Sequence, residues 1–296
     1  TLAVYEERME VLKQITAKEK ESGWKLLIKL LPQGHEIAYS THKTRWRIFD
    51  QNTNINYTNK EVYDTHRFIV EILINLFDGS ENKLSELIDN SVLFSYQEDR
   101  LKVYDWADKV CDNIEQKDYK PWYTIREILH HHRSYPDSEW SLPESELQRL
   151  EEIYHKLEPS DIVEKHKWLF DRFWPAYIQG MKKSDPDLLE YRKNNDVRVT
   201  AVKKWINELG LEKTVSLRDE LKEPMLLAEA LADIIVNEND LIFICECFKC
   251  DSDDIKFSQA FIRNKSCKEN FDWVKNLVLL LLQNGFSIYS VTQGDI

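Results

Sequence analysis

The chain has 296 residues, of which 42% are hydrophobic and 31% are charged, and its formal net charge is -12. This much apolar material excludes a disordered chain, and the acidic charge disfavours nucleic acid and anionic lipid as partners. Only 7 residues are glycine, which leaves few places where a backbone could bend around a nucleotide phosphate.

The N-terminal half predicts consecutive helices. Residues 3–20 and 24–31 form the first two, which Gly23 separates. Four later helices are predicted from capping boxes, in which the first side chain accepts from a backbone N–H three residues on and a glutamate bonds back. The boxes pair Thr58 with Glu61, Ser95 with Glu98, Ser141 with Glu144 and Asp161 with Glu164.

Helical patterns continue in the C-terminal half. Gly210 is placed to end a helix over 197–209, and Pro224 is placed to begin another. Further apolar helical segments cover 226–236, 241–250, 255–262 and 271–282. We therefore predict an all-α chain, an irregular helical array or α-solenoid-like fold of about a dozen helices with no substantial sheet.

Two stretches lack a helical period. Residues 33–56 form a long irregular loop, and such loops inside helical domains are often functional. A second irregular stretch, 171–186, contains Trp174-Pro175 and Ser184-Asp185-Pro186. We place the domain boundary in this second stretch, with an N-terminal helical subdomain over 1–183 and a C-terminal one over 184–296.

The loop over 33–56 carries a basic and aromatic cluster of His42, Lys43, Arg45, Trp46 and Arg47. Arginine and lysine beside an indole can bind a phosphate, a carboxylate or a stacked base. The alternative is that the indole anchors the loop to the core while the basic residues pair with the abundant acids. The cluster is our candidate partner-binding site.

Arg126 and His131 lie on a predicted helix with the Arg-x4-His spacing of metal-independent ribonucleases of the HEPN type. We expect this spacing to place both side chains on one helix face. In such an enzyme the arginine would stabilise phosphate charge and the histidine would move a proton. The alternative is a polar helix end, where histidine suits the C-terminal dipole. We favour this alternative and assign no catalytic residue.

Five cysteines, an odd number, indicate a reducing, cytoplasmic compartment rather than a disulfide scaffold. Cys245, Cys247, Cys250 and Cys267 raise the alternative of a zinc site. The first two stand two residues apart on a predicted helix and point in opposed directions, so we predict buried thiols and no metal. No nucleotide-binding motif occurs, and we expect no cofactor. The longest apolar stretch, 274–282, is shorter than the roughly 20 residues that span a bilayer.

Three passages carry a resemblance to a known class of protein. They are Gly23-Trp24-Lys25-Leu26-Leu27 with Leu31-Pro32, Thr41-His42-Lys43 with Arg45-Trp46-Arg47, and His132-Arg133-Ser134-Tyr135-Pro136-Asp137 with Trp140-Ser141-Leu142-Pro143. Together they resemble the helical C-terminal regions of very large bacterial anti-phage defence proteins, which often carry a sirtuin-like or STAND-NTPase module upstream. The resemblance implies a sensor or scaffold region, with any enzyme activity on another segment.

These observations predict a non-enzymatic helical scaffold for protein–protein interaction, because stacked helices present broad surfaces to a partner. The expected partner is another protein or another domain of a larger chain. The first residue is Thr1 rather than methionine, which agrees with a fragment of such a chain.

Overall fold

The computed structural model describes residues 5–32, 58–180, 188–247 and 252–266, together with the isolated positions 275–276, 279 and 282. Within these ranges the chain forms thirteen α-helices, three short 3₁₀ helices and no strand. The all-α prediction is therefore confirmed. The α-helices are α1 (Tyr5–Lys18), α2 (Lys20–Leu30), α3 (Asn59–Leu76), α4 (Glu81–Ser91), α5 (Gln97–Val110), α6 (Lys120–Ser134), α7 (Glu144–Lys156), α8 (Ile162–Lys167), α9 (Leu188–Leu209), α10 (Leu211–Ser216), α11 (Pro224–Ile234), α12 (Glu238–Glu246) and α13 (Ser252–Ser266).

The chain divides into two compact units, Thr1–Glu158 and Pro159–Ile296. This division falls earlier than the boundary that we predicted between residues 183 and 184. The reason is that Leu169 and Phe170, just after α8, are buried in the core of the second unit beside Trp205. The irregular stretch after residue 170 had suggested a linker, but the segment before it already belongs to the second unit.

In the first unit, α4 packs against α6, and α6 packs against α7. On α7, Leu147, Leu150, Tyr154 and Leu157 recur at steps of three and four residues, and all four are buried. Trp24 of α2 is also buried, and its indole N–H donates to Glu86 Oε2 at 2.7 Å. A buried indole needs such an acceptor, so this hydrogen bond fixes how α2 meets α4.

In the second unit, α11 packs against both α9 and α13. The residues from Leu226 to Ala232 are all buried, Glu229 included. A helix that is apolar nearly all round belongs inside a core. Trp205 from α9 and Phe261 from α13 are fully buried in the same core.

Two predicted helix caps are confirmed. Glu61 N donates to Thr58 Oγ1 at 3.2 Å and Thr58 N donates to Glu61 Oε2 at 3.0 Å, which completes the capping box before α3. Asp161 Oδ1 accepts from the backbone N–H groups of Val163 and Glu164 before α8. Both caps satisfy amide groups that the first helical turn leaves without a partner.

Two predicted caps are wrong. Helix α5 begins at Gln97 after Tyr96, so Ser95 lies one residue too early to cap it. Helix α7 begins at Glu144 after Pro143, and the Ser141 hydroxyl donates instead to the carbonyl of His132 at 2.9 Å. In both places the Ser-x-x-Glu spacing is present, but the helix begins one or two residues later than the spacing predicts.

Gly23 does not end a helix, contrary to our prediction, because it lies inside α2. A Cβ atom at this position would approach Thr16 of α1 to 3.0 Å. Glycine is therefore required for the close approach of α1 and α2 rather than for a turn. Gly210 does end α9, as predicted, with a φ of +86° that disfavours other residues.

Candidate interaction surfaces

The predicted partner-binding cluster of His42, Lys43, Arg45, Trp46 and Arg47 lies outside the described residues. It therefore stays a prediction. Arg126 and His131, and two surfaces that the sequence did not single out, lie within the first unit.

Arg126 is buried on α6, with 6% of its surface exposed. Its guanidinium lies 4.7 Å from the ring centroid of Trp122 and 5.2 Å from that of Tyr154. Its Nη2 also donates to the hydroxyl oxygen of Tyr154. Burial lowers the pKa of Arg126 to about 10. The two aromatic rings thus hold the side chain inside the core, away from any phosphate in solution.

His131 is exposed, in contrast to Arg126. The prediction that both side chains share one helix face is wrong, because a separation of five residues turns a helix by about 140° beyond a full revolution. The His131 ring stacks instead on Trp140, with centroids 4.5 Å apart and planes 18° from parallel. The structure therefore separates the two residues of the ribonuclease hypothesis.

Trp140 forms an exposed aromatic platform with its neighbours after α6. Its relative exposure is 49% although one face is covered by His131. Tyr135 lies against it at 5.7 Å between centroids, tilted by 52°. We call Trp140, His131 and Tyr135 the aromatic platform.

His132 fixes the loop that carries the aromatic platform. Its Nδ1 accepts from the Leu142 backbone N–H at 3.0 Å, and its carbonyl accepts from the Tyr135 N–H at 3.2 Å and from the Ser141 hydroxyl. The ring is buried. These three hydrogen bonds tie both ends of the loop from 135 to 142 to His132 at the end of α6.

The His132 ring predicts a pH-dependent stability. Burial, helped by the positive charges of His131 and Arg100, lowers the pKa of His132 to about 4. In the unfolded chain the same ring has a pKa of about 6.5, so protons bind the unfolded state more readily between these values. We expect the free energy of unfolding to be highest above pH 6.5 and to fall as the pH drops toward about 4.

The measurement is the unfolding free energy against pH for the wild type and His132→Gln. The glutamine variant should lose part of the slope between about pH 6.5 and about pH 4, because it removes the titrating ring. Equal slopes in the two proteins would show that other groups account for acid sensitivity.

A second surface of the first unit is an apolar groove formed by α1, α2 and α3. Its volume is about 490 Å³. The apolar lining consists of Met9, Val11, Leu12, Leu30 and Val62. Val11 is 51% exposed, Leu30 43% and Val62 39%. These three side chains come from three different helices, so the apolar surface is continuous rather than scattered.

The polar lining of the apolar groove is sparse. It consists of Arg8, Glu61, Thr65 and His66. The Glu61 carboxylate accepts from the Thr58 backbone N–H in the capping box of α3, and the Thr65 hydroxyl donates to the Glu61 carbonyl at 2.7 Å. Burial lowers the pKa of His66, which favours its neutral form at neutral pH. The groove therefore offers mainly apolar contact, with few polar groups in its lining.

The cysteines are described only in part. Cys111 is buried, and its thiol donates to the Asp108 carbonyl, as expected of a small apolar residue. Cys247 is partly buried against the second core. Cys250 and Cys267 lie outside the described residues. Among the side chains that are described, no group of three or more His, Cys, Asp or Glu residues could hold a metal ion.

Sequence reasoning missed both surfaces of the first unit. On α3, Val62, Ile69 and Leu73 have the spacing of one helix face, but of these three only Ile69 and Leu73 are buried. Trp140 belongs to a passage that we used only for a resemblance. The signal that was present is an isolated indole in a Pro-Asp-Ser-Glu-Trp stretch, between acidic and polar residues.

Comparisons with protein families, with curated proteins and with solved structures found no match for this chain. In the portion of the chain that the structure describes, no helix is both long and apolar enough to cross a membrane.

Proposed function

We propose that this chain is a non-enzymatic helical scaffold that recognises another protein or another domain of a larger chain. We further propose that it works in the cytoplasm, as part of a large bacterial defence protein of the kind that its sequence resembles. The observation that supports the interaction role best is the apolar groove of α1, α2 and α3.

The groove supports this role because its apolar side chains are open to water together. Single exposed apolar residues are common on protein surfaces and indicate little. A continuous apolar patch with polar groups at its margin is typical of an interaction site. Val11, Leu30 and Val62 lie in one groove of about 490 Å³, which is large enough to take the side chains of a partner.

A charge placed in the groove tests the proposal. We expect Val62→Asp to abolish copurification of the partner, because a carboxylate would have to lose its water in the interface. The free energy of unfolding should change by less than about 0.5 kcal/mol, since the side chain is half exposed. Tagged full-length protein is purified from the cells that express it, and the bound proteins are quantified and then reconstituted from pure components.

The matched control is Val197→Asp on α9, in the second unit. Val197 is 40% exposed and Val62 is 39% exposed. The two substitutions therefore place the same charge at equally exposed positions, one inside the groove and one outside it. The proposal requires that Val197→Asp retains the partner. Equal capture by both variants, or equal loss, would mean that the groove is not the interaction site.

The position of Arg126 leads to an expectation about RNA. Because this guanidinium is buried between Trp122 and Tyr154, it cannot approach a phosphate together with the exposed His131. We expect no RNA cleavage that depends on His131. RNA incubated with wild type and with His131→Ala should give identical products, and cleavage lost only in the variant would restore the ribonuclease hypothesis.

A further inference from the structure

The aromatic platform leaves one face of the Trp140 indole open. His131 covers the opposite face, at 4.5 Å and nearly parallel, yet the residue is still 49% exposed. Tyr135 and His132 contact the ring from the side. An indole held in this way presents its remaining π-face to solvent in a fixed orientation.

The loop that carries Trp140 also contains two acidic residues. Asp137 and Glu139 are both exposed in the loop that carries Trp140. Two hydrogen bonds within that loop, from Ser138 N to the Tyr135 carbonyl at 3.1 Å and from Ser141 N to the Ser138 carbonyl at 2.9 Å, keep it compact. Among the described residues neither acid forms an ion pair. The Trp140 ring therefore lies in a loop whose two carboxylates form no ion pair with any residue that the structure describes.

Elsewhere in the chain, two aromatic rings form cation–π contacts with basic side chains. Arg67 lies 5.5 Å from the centroid of Tyr96, and Lys83 lies 5.4 Å from that of Trp24. Tyr96 is 45% exposed, so it resembles Trp140 in exposure but has its own arginine. Within the described part of the chain, Trp140 has no such cation.

We propose that the aromatic platform binds an arginine of a basic segment in the partner protein, with the guanidinium over the open face of Trp140. Indole is the best side chain for a cation–π contact, and the guanidinium stacks on aromatic faces in preference to a compact ammonium. Asp137 and Glu139 supply the complementary charge and repel a nucleic-acid phosphate. The inference rests on the proposed function, because the basic segment belongs to the protein partner.

A labelled arginine-rich peptide tests the proposal, with the same peptide carrying neutral citrulline in place of arginine as reference. Binding is followed by fluorescence anisotropy at low ionic strength, where exposed charges are least screened. We expect the arginine peptide to bind the full chain and Trp140→Ala to weaken that binding by about fivefold. Trp140→Phe should lose less, and the double variant Asp137→Asn with Glu139→Gln should also weaken binding.

Tyr96→Ala is the matched control, since it removes an exposed aromatic ring whose face is already occupied by Arg67. It should bind the peptide as the wild type does. Equal affinity of Trp140→Ala and Tyr96→Ala would overturn the proposal, because the peptide would then be bound by the overall negative charge. Equal binding of the arginine and citrulline peptides to the wild type would overturn the proposal too. So would binding of a single-stranded oligonucleotide to the wild type that Trp140→Ala abolishes.

Two further variants of this chain separate the aromatic platform from the groove. The double acidic variant changes only exposed loop residues, so it answers the question even if Trp140→Ala disturbs the fold. Val62→Asp should bind the peptide normally while it loses the partner at the groove. Failure of the peptide experiment alone would reject the aromatic platform, whereas failure of the Val62 experiment alone would reject the groove.

Discussion

Glu146→Gln is expected to destabilise the first unit by about 3–5 kcal/mol. Glu146 is fully buried and forms two parallel hydrogen bonds with Arg100, from Nε at 2.6 Å and from Nη2 at 2.8 Å. The third nitrogen of Arg100 donates to the Phe94 carbonyl. The amide would leave a largely buried guanidinium without its counter-charge, which is far more costly than losing a neutral hydrogen bond.

Glu144→Gln provides the matched control for this prediction. Glu144 lies in the same first turn of α7 and also pairs with an arginine, Arg133, at 2.6 Å. Its side chain is 54% exposed, whereas that of Glu146 is 1% exposed. An exposed pair contributes about 1 kcal/mol or less. Urea unfolding of the three proteins measures the difference, and similar losses in both variants would show that the buried pair is not special.

The same pair can be replaced rather than broken. Arg100→Met combined with Glu146→Leu removes both charges and leaves apolar groups of comparable size. Such replacements of buried pairs are often neutral. We therefore expect the double variant to be more stable than Glu146→Gln, which would assign the loss to the uncompensated charge and not to packing.

Arg198→Met is expected to destabilise the second unit by about 3 kcal/mol or more. Arg198 of α9 is fully buried. Its Nε donates to the Leu169 carbonyl at 2.9 Å, and its Nη2 donates to the carbonyls of Arg172 and Phe173 at 3.0 and 2.8 Å. Methionine fills much of the volume but donates nothing, so these carbonyls lose a charged donor.

A local readout separates this effect from a general loss of packing. Arg172 is exposed in the segment from 169 to 173, whose carbonyls accept from Arg198, and trypsin should cleave after it faster once the Arg198 donors are gone. Arg192→Met, an exposed position on the same helix, should change stability by less than about 0.5 kcal/mol and leave the cleavage rate unchanged. Equal cleavage in the two variants would show that the hydrogen bonds of Arg198 do not hold this segment in place.

The all-α architecture could be predicted from the sequence because its signals are local. The spacing of Leu147, Leu150, Tyr154 and Leu157 places them on one helix face, and all four are buried. The Thr58 cap is equally local. Gly23 shows where local reasoning ends, since its role depends on Thr16 from a neighbouring helix.

The surfaces could not be predicted because exposure is a property of the packed molecule. Nothing in the sequence of α3 distinguishes Val62 from Ile69, although one lines a groove and the other is fully buried. The Arg126 guanidinium likewise looked available in the sequence, but Tyr154 from α7 covers it. Both outcomes depend on which helices pack together, and periodicity within one helix does not contain that information.

Photocrosslinking from the groove tests most directly whether this chain acts through its surface. A benzophenone amino acid replaces Val62 or Leu30 in the full-length protein, and Val197 in the control, and the products formed in cells are mapped by mass spectrometry. We expect both groove positions to crosslink to the same segment of one partner, and Val197 not to reach it. Identical products from all three positions, or none from either groove position in correctly folded protein, would contradict the proposed interaction role.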